Sequence, residues 1–191
     1  MQRTIILSGP VGVGKTTVGR LAATLLDMPF TDLDEERERL YAQTDYSETK
    51  AELQYALHGI EGWYRYQKPY ELLSVEHILQ ERGGSLIAFG AGQSVYETDE
   101  QRRAFRALVA PVKHSFLLLP YPGLSESLDF LSGRFEDKNE QTLNRILLPQ
   151  MLKQPFAAHT VFTAEKTAQR VAGEIAGIVR AECEKERSEE R

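Results

Sequence analysis

Near the start of the chain, Gly9-Pro10-Val11-Gly12-Val13-Gly14-Lys15-Thr16 follows the spacing G-x-x-x-x-G-K-[ST], with an apolar run before it and an amphipathic repeat after it. Glycines let successive backbone N–H groups converge on phosphate oxygens, and the helix that follows adds the positive end of its dipole. Lys15 is the residue to reach the β and γ phosphates, Thr16 offers a hydroxyl to Mg2+, and Gly9, Gly12, Val13, Gly14 and Thr17 complete the cradle. ATP and Mg2+ are therefore the expected cofactors. Further on, Phe30-Thr31-Asp32-Leu33-Asp34 carries two carboxylates two residues apart, which share one side of an extended segment. Asp32 is assigned to the Mg2+ shell and Asp34 to the hydroxyl of an acceptor, whose proton it can take. Asp is also a favoured N-cap, here for a helix running through Glu35, Glu36 and Arg37, and the two roles are compatible.

Such residues need a scaffold that brings them together. Short apolar runs bounded by Gly or Pro fall at 4–7, 85–89, 115–119 and 160–162, with a further short strand at 29–33 and helical patterns between. Continuous apolar runs suit strands buried on both faces, so the expected fold is α/β, a five-stranded parallel sheet with helices on both faces. Val18, Leu21, Ala22, Leu25 and Leu26 give the first helix one apolar stripe. From about 34 to 82 no strand signal appears, and two or three helices rich in Tyr, Glu and Leu are expected to cap the carboxyl end of the sheet. The polar stretch of about 125–144, centred on Gly133 and Arg134, is the candidate lid. The last helix runs from 167 to about 187 and becomes a mixed-charge tail.

Composition narrows the class. The 191 residues carry 23 Lys+Arg and 28 Asp+Glu, a formal charge of −5, with 41% hydrophobic and 27% charged residues, which fits one folded domain over 1–191 and excludes a disordered or disulfide-built chain. Cys183 has no second cysteine to pair with. Without a dense Lys/Arg run, neither nucleic acid nor an anionic membrane is expected as the main partner, and a small molecule held by a few placed cations is. No apolar run approaches the roughly 18 residues of a membrane span, and the run at the N-terminus is too short for a signal peptide, so a cytoplasmic protein is expected. His58, His77, His114 and His159 show no metal-binding spacing and read as structural or surface residues. The nucleophile motif G-x-S-x-G is absent.

The stretch 9–34 resembles the shikimate kinases, small monomeric P-loop NTPases akin to the nucleoside-monophosphate kinases. Three later stretches extend the resemblance over most of the chain. Glu61-Gly62-Trp63-Tyr64-Arg65 matches E-x-x-F-R with Tyr for Phe, and the resemblance implies that Arg65 holds a substrate carboxylate. Ile87-Ala88-Phe89-Gly90-Ala91-Gly92 stands where the family's strand ends in three glycines beside the substrate, Arg134 where a lid arginine meets the transferring phosphate, and Lys153-Gln154-Pro155-Phe156 where a second carboxylate-binding arginine precedes a proline. The residues also carry plainer readings: Arg65 can pair with Glu61 at i, i+4, the glycines can make a tight turn, and Arg134 can be a solvated loop cation.

The resemblance implies an ATP-dependent kinase of a small hydroxylated molecule, with catalytic residues Lys15, Asp34 and Arg134 and acceptor contacts at Asp34, Arg65, Gly90, Ala91, Gly92 and Lys153. Three departures bear on the acceptor. Ala91 replaces the middle glycine, the lid lacks the R-P-L-L run that usually follows its arginine, and Lys153 replaces an arginine, whose planar fork a lysine cannot reproduce. Shikimate is thus the first acceptor to test, beside an antibiotic, a sugar acid or a nucleoside. A non-catalytic ATP-binding switch is the reading from another class. Trp63, Tyr64, Tyr66 and Tyr70 either line a pocket for a ring or pack together. A monomer is expected, with a dimer allowed.

Overall fold

The computed structural model describes residues 3–153 and 155–189, so Gln154 of the Lys153–Phe156 stretch and the chain ends counted in the 1–191 domain lie outside the described residues. Five strands, β1 (Ile5–Ser8), β2 (Phe30–Asp32), β3 (Leu86–Ala88), β4 (His114–Leu119) and β5 (His159–Phe162), form one sheet in the order β2-β3-β1-β4-β5. Every pairing is parallel, with Ile5 in register with both Leu86 and His114. All carboxyl ends therefore lie at one edge, where open α/β sheets take their ligands.

Side chains of successive strand residues point to opposite faces, and the core divides accordingly. Ile5, Leu7 and Leu86 join one hydrophobic cluster, while Ile6, Ile87 and Phe89 join another. Helix α1 (Lys15–Leu25) packs with α7 (Ala168–Glu189) over the first. The apolar stripe read for α1 is corrected at Leu25, which is 45% exposed. The buried face is Val18, Gly19, Ala22 and Ala23, small side chains that let the helix sit close, and Leu25 falls to its side.

The 34–82 stretch forms a short α2 (Arg37–Tyr41) and a long α3 (Glu48–Glu81) that is broken by a non-helical backbone at Gly59. Its tyrosines pack rather than line a pocket. Tyr41, Tyr46, Tyr66 and Tyr70 form a cluster with ring centroids between 4.6 and 5.9 Å apart. Trp63 packs against the first hydrophobic cluster, and Tyr64 is buried within it. After β3 come a 3-10 turn (Ala91–Ser94) and α4 (Asp99–Val109). The 125–144 stretch is largely helical, comprising most of α5 (Leu124–Ser132), a short connection and the first part of α6 (Lys138–Lys153).

Burial pushes the Tyr41, Tyr64 and Tyr96 phenols well above their ordinary value of 10.0. The unfolded chain ionises these groups near pH 10 and the folded chain does not, so their contribution to stability is full below pH 10 and is lost as pH rises beyond it. Alkaline titration should therefore show a cooperative rise in phenolate absorbance that coincides with the loss of helical circular dichroism. Phenolate absorbance that reached completion while the helix signal persisted would contradict this.

Candidate active site

β1 ends at Ser8 and the loop that follows turns directly into α1. Gly14 adopts φ 97° at the N-cap, a left-handed conformation that glycine takes without strain. Lys15 folds back under the loop, where Nζ donates to the carbonyls of Gly9 and Pro10 at 3.0 Å each. Desolvation lowers its pKa, against the opposing pull of the Asp34 and Asp32 carboxylates. Both carboxylates assigned from the sequence thus lie within electrostatic reach of the loop lysine.

The Thr16 hydroxyl donates to Asp32 Oδ2 at 2.6 Å. Hydroxyl and carboxylate therefore meet as a pair at the start of α1 and the end of β2. Val13 is buried in the core, whereas Thr17 faces solvent. Asn144 of α6, a residue that sequence reasoning missed, accepts from Val11 N at 2.9 Å and donates to Val11 O at 3.1 Å, pairing the loop backbone as a neighbouring strand would. A single Asn inside an amphipathic helix carried no signal for this.

Arg134 reaches the same loop, its Nη1 donating to Gly12 O at 2.9 Å and its guanidinium stacking 4.6 Å from the centre of the Phe130 ring. Arg134 is exposed in the connection between α5 and α6, so it is a solvated cation that also bonds the loop. Phe135 also lies on the loop, since a Cβ placed on Gly12 would fall 2.1 Å from its ring.

Asp34 does not act as an N-cap. The cap of α2 is Glu36, without a side-chain hydrogen bond, and the Asp34 carboxylate instead binds Arg37 Nη2 at 2.6 Å while remaining 48% exposed. Gly90 presses against it, for a Cβ there would fall 2.3 Å and 3.0 Å from the two carboxylate oxygens. The end of β3 thus meets Asp34 flush, backbone against carboxylate.

Gly92 meets a different pair. Lys68 Nζ donates to Gly92 O and to Glu71 Oε2, both at 2.6 Å, and lies 3.8 Å from the centre of the Tyr64 ring. The side chains of Lys68 and Glu71 are only 3% and 5% exposed. Their i, i+3 spacing in phase with Tyr64, Val75 and Ile78 was the available signal, concealed because an apolar stripe is sought among apolar residues. Between these contacts, Gln93 Oε1 accepts from Gly90 N at 2.6 Å and stiffens the turn that begins at Ala91.

The remaining two candidates sit apart. Arg65 is 59% exposed and engaged by Glu61 at 3.5 Å and Glu97 at 3.2 Å. Lys153, at the end of α6, lines a cavity of about 270 Å3 whose walls include none of Asp34, Arg65, Gly90, Ala91 or Gly92. His114 and His159 both bind Glu182, at 2.8 Å each, and stand at the first residues of β4 and β5, the edge opposite the loop.

Among the described residues, no helix is long and apolar enough to cross a membrane. A model of the shikimate kinase family matches residues 11–179. The shikimate kinase of Pasteurella multocida is 31% identical over 178 residues, which cover 93% of this chain and 95% of that protein. A shorter match to the shikimate kinase of Novosphingobium aromaticivorans, 62% identical over 37 residues, spans only 19% of that relative's length. Among solved structures, a shikimate kinase from Acinetobacter baumannii in complex with shikimate shares the fold, with a TM-score of 0.63 at 24% identity and coverage of 95% of both chains. Full-length alignment, parallel five-stranded sheet and phosphate-binding loop agree, and the chain belongs to the shikimate kinase family.

Proposed function

We propose that this chain, a small-molecule kinase by family, transfers the γ-phosphoryl group of Mg2+-ATP to a hydroxyl of a small acceptor in the cytoplasm, with shikimate as the first candidate. The observation that carries this reading is the flush contact between Gly90 and Asp34 at the edge of the sheet that also bears the phosphate-binding loop. A switch that only sensed ATP would have no need of a bare backbone turn against a solvent-reachable carboxylate.

The residues fit the cofactors. Gly9, Gly12, Val13, Gly14, Lys15, Thr16 and Thr17 would hold the phosphates, with the Lys15 ammonium already beneath the loop. Among the described residues no cluster of three or more His, Cys, Asp or Glu is placed to hold a metal, so Thr16 and Asp32 would hold Mg2+ together with phosphate oxygens. Bound Mg2+-ATP supplies the group to be transferred.

Asp34 takes the proton of the attacking hydroxyl, and Arg37 fixes the carboxylate for that task. Arg134, supplied from the 125–144 lid, keeps a guanidinium at the loop to stabilise charge that develops during transfer. Gly90, Ala91 and Gly92 give the acceptor a backbone surface, and Arg65 and Lys153 are the cations for its carboxylate once the cap and lid have closed.

Release of ADP from ATP, measured with Mg2+ and with or without shikimate, tests the reading. Strong stimulation by shikimate supports it. A basal rate that shikimate and a panel of hydroxylated acceptors all leave unchanged favours the ATP-binding switch. Within the same assay, Gly90→Ala should lower kcat/KM for the acceptor at least about tenfold, because the new methyl must displace the Asp34 carboxylate, with little effect on the affinity for ATP. An unchanged kcat/KM would remove Gly90 from the acceptor site.

A further inference from the structure

Each residue of the turn that follows β3 has an anchor of its own. Gly90 N donates to Gln93 Oε1 at 2.6 Å. Ala91 packs against the first hydrophobic cluster, so the one side chain in the turn is engaged with the core. Gly92 O accepts from Lys68 Nζ at 2.6 Å, and the same ammonium is held by Glu71.

Both polar anchors are poor choices for stability alone. Gln93 is 1% exposed and its Nε2 has no hydrogen-bond partner among the described residues, an unpaired buried donor that an apolar side chain would avoid. Lys68 and Glu71 form a buried ion pair, which apolar side chains of similar volume often replace without loss of stability. The pair reaches the turn only because Gly92 has no side chain, since a Cβ there would fall 2.8 Å from Glu71 Oε1 and 3.1 Å from Lys68 Nζ. What Gln93 and Lys68 have in common is the backbone they hold, one at each end of a turn that meets Asp34 at Gly90. Peptide groups fixed at both ends form a preorganised surface, and a surface made of backbone can be set in place only by residues behind it.

We propose that Lys68 and Gln93 are positioning residues for acceptor binding: through Gly92 O and Gly90 N they fix the backbone against which the acceptor lies, without touching the acceptor themselves. The proposal rests on the kinase reading above and adds to it two residues that act on the acceptor through the turn.

Two variants each remove one anchor without stranding a charge. Lys68→Met with Glu71→Leu deletes both members of the buried pair, and Gln93→Leu exchanges one unpaired donor, Gln93 Nε2, for another, Gly90 N. In the ADP-release assay each should raise KM for shikimate at least about tenfold while kcat stays within about threefold of the parent, because a loosened turn weakens acceptor binding and leaves the reacting groups in place. A merely structural loss would lower the amount of folded enzyme, and with it kcat, and leave KM where it was. Amide hydrogen exchange over residues 90–95 reads the turn with no acceptor present, and it should quicken in both variants while β1 keeps its protection. Should one variant fail to fold, the other carries the same test. An unchanged KM for shikimate overturns the proposal, as does a raised KM with unchanged exchange over 90–95, which would mean that the residues act by another route. A parent enzyme that no acceptor stimulates overturns the kinase reading and this role with it, whereas a stimulated parent whose variants keep its KM removes Lys68 and Gln93 alone.

Discussion

Replacing Lys15 by Met should lower ATP-dependent phosphoryl transfer by about a thousandfold or more while leaving the melting temperature unchanged or raised. The activity side follows from position, since this ammonium lies under the loop on the carbonyls of Gly9 and Pro10 and is the cation placed to meet incoming phosphate. The stability side follows from desolvation, the leading cause of the lowered Lys15 pKa, which the Asp34 and Asp32 carboxylates only oppose. Methionine keeps all but the last atom of the side chain's length and carries no charge to desolvate. Assay of ADP release beside a thermal melt checks both halves. Activity within tenfold of the parent would remove Lys15 from the transfer step, and a lowered melting temperature would show that its two carbonyl bonds outweigh the cost of burying it.

The second large effect concerns stability. Lys68→Met should destabilise the fold by about 3–5 kcal/mol, because it leaves the Glu71 carboxylate buried without its partner. For a chain of this size that corresponds to a fall in Tm of roughly 10 °C. The double variant Lys68→Met with Glu71→Leu removes both charges and should recover most of the loss, so chemical denaturation of the singles and the double forms a thermodynamic cycle. A single variant as mild as the double would mean that Glu71 finds water or another donor once Lys68 is gone.

The fold was legible in the sequence wherever one chemical property repeats. Continuous apolar runs found β1, β3 and β4 to within about a residue, because a strand buried on both faces has no polar side to blur the signal, whereas β2 carries Thr31 and Asp32 and only Val161 of β5 is buried. The meeting of Thr16 with Asp32 was legible because the motif fixes residue types at set offsets after one strand and at the end of the next, and the structure brings the two within 2.6 Å of each other. The acceptor side was less legible. Lys68 and Glu71 occupy core-facing positions of α3 but are charged, so a search for apolar periodicity passed over them. Asn144 reaches Val11 across 133 positions of chain, a separation that no local pattern encodes. Leu25 was assigned inward on spacing alone, whereas the small residues beside it decide which face of α1 can approach the sheet.

One torsion sets how far the molecule extends. Unbroken, the 34 residues of α3 would form a rod of about 50 Å, longer than the roughly 40 Å diameter expected for a compact chain of this length. Gly59, at φ 64°, divides that rod into arms of about 17 and 33 Å. The long arm lies along the body with Tyr64, Glu71, Val75 and Ile78 inward. The short arm starts its own helical phase, turns Leu53 and Leu57 to solvent and meets Asn139 of α6 through the Tyr55 hydroxyl at 3.1 Å. A single residue without a side chain is thus what lets a helix too long for its domain bend around it, touching the 125–144 stretch with one arm and the glycine turn with the other.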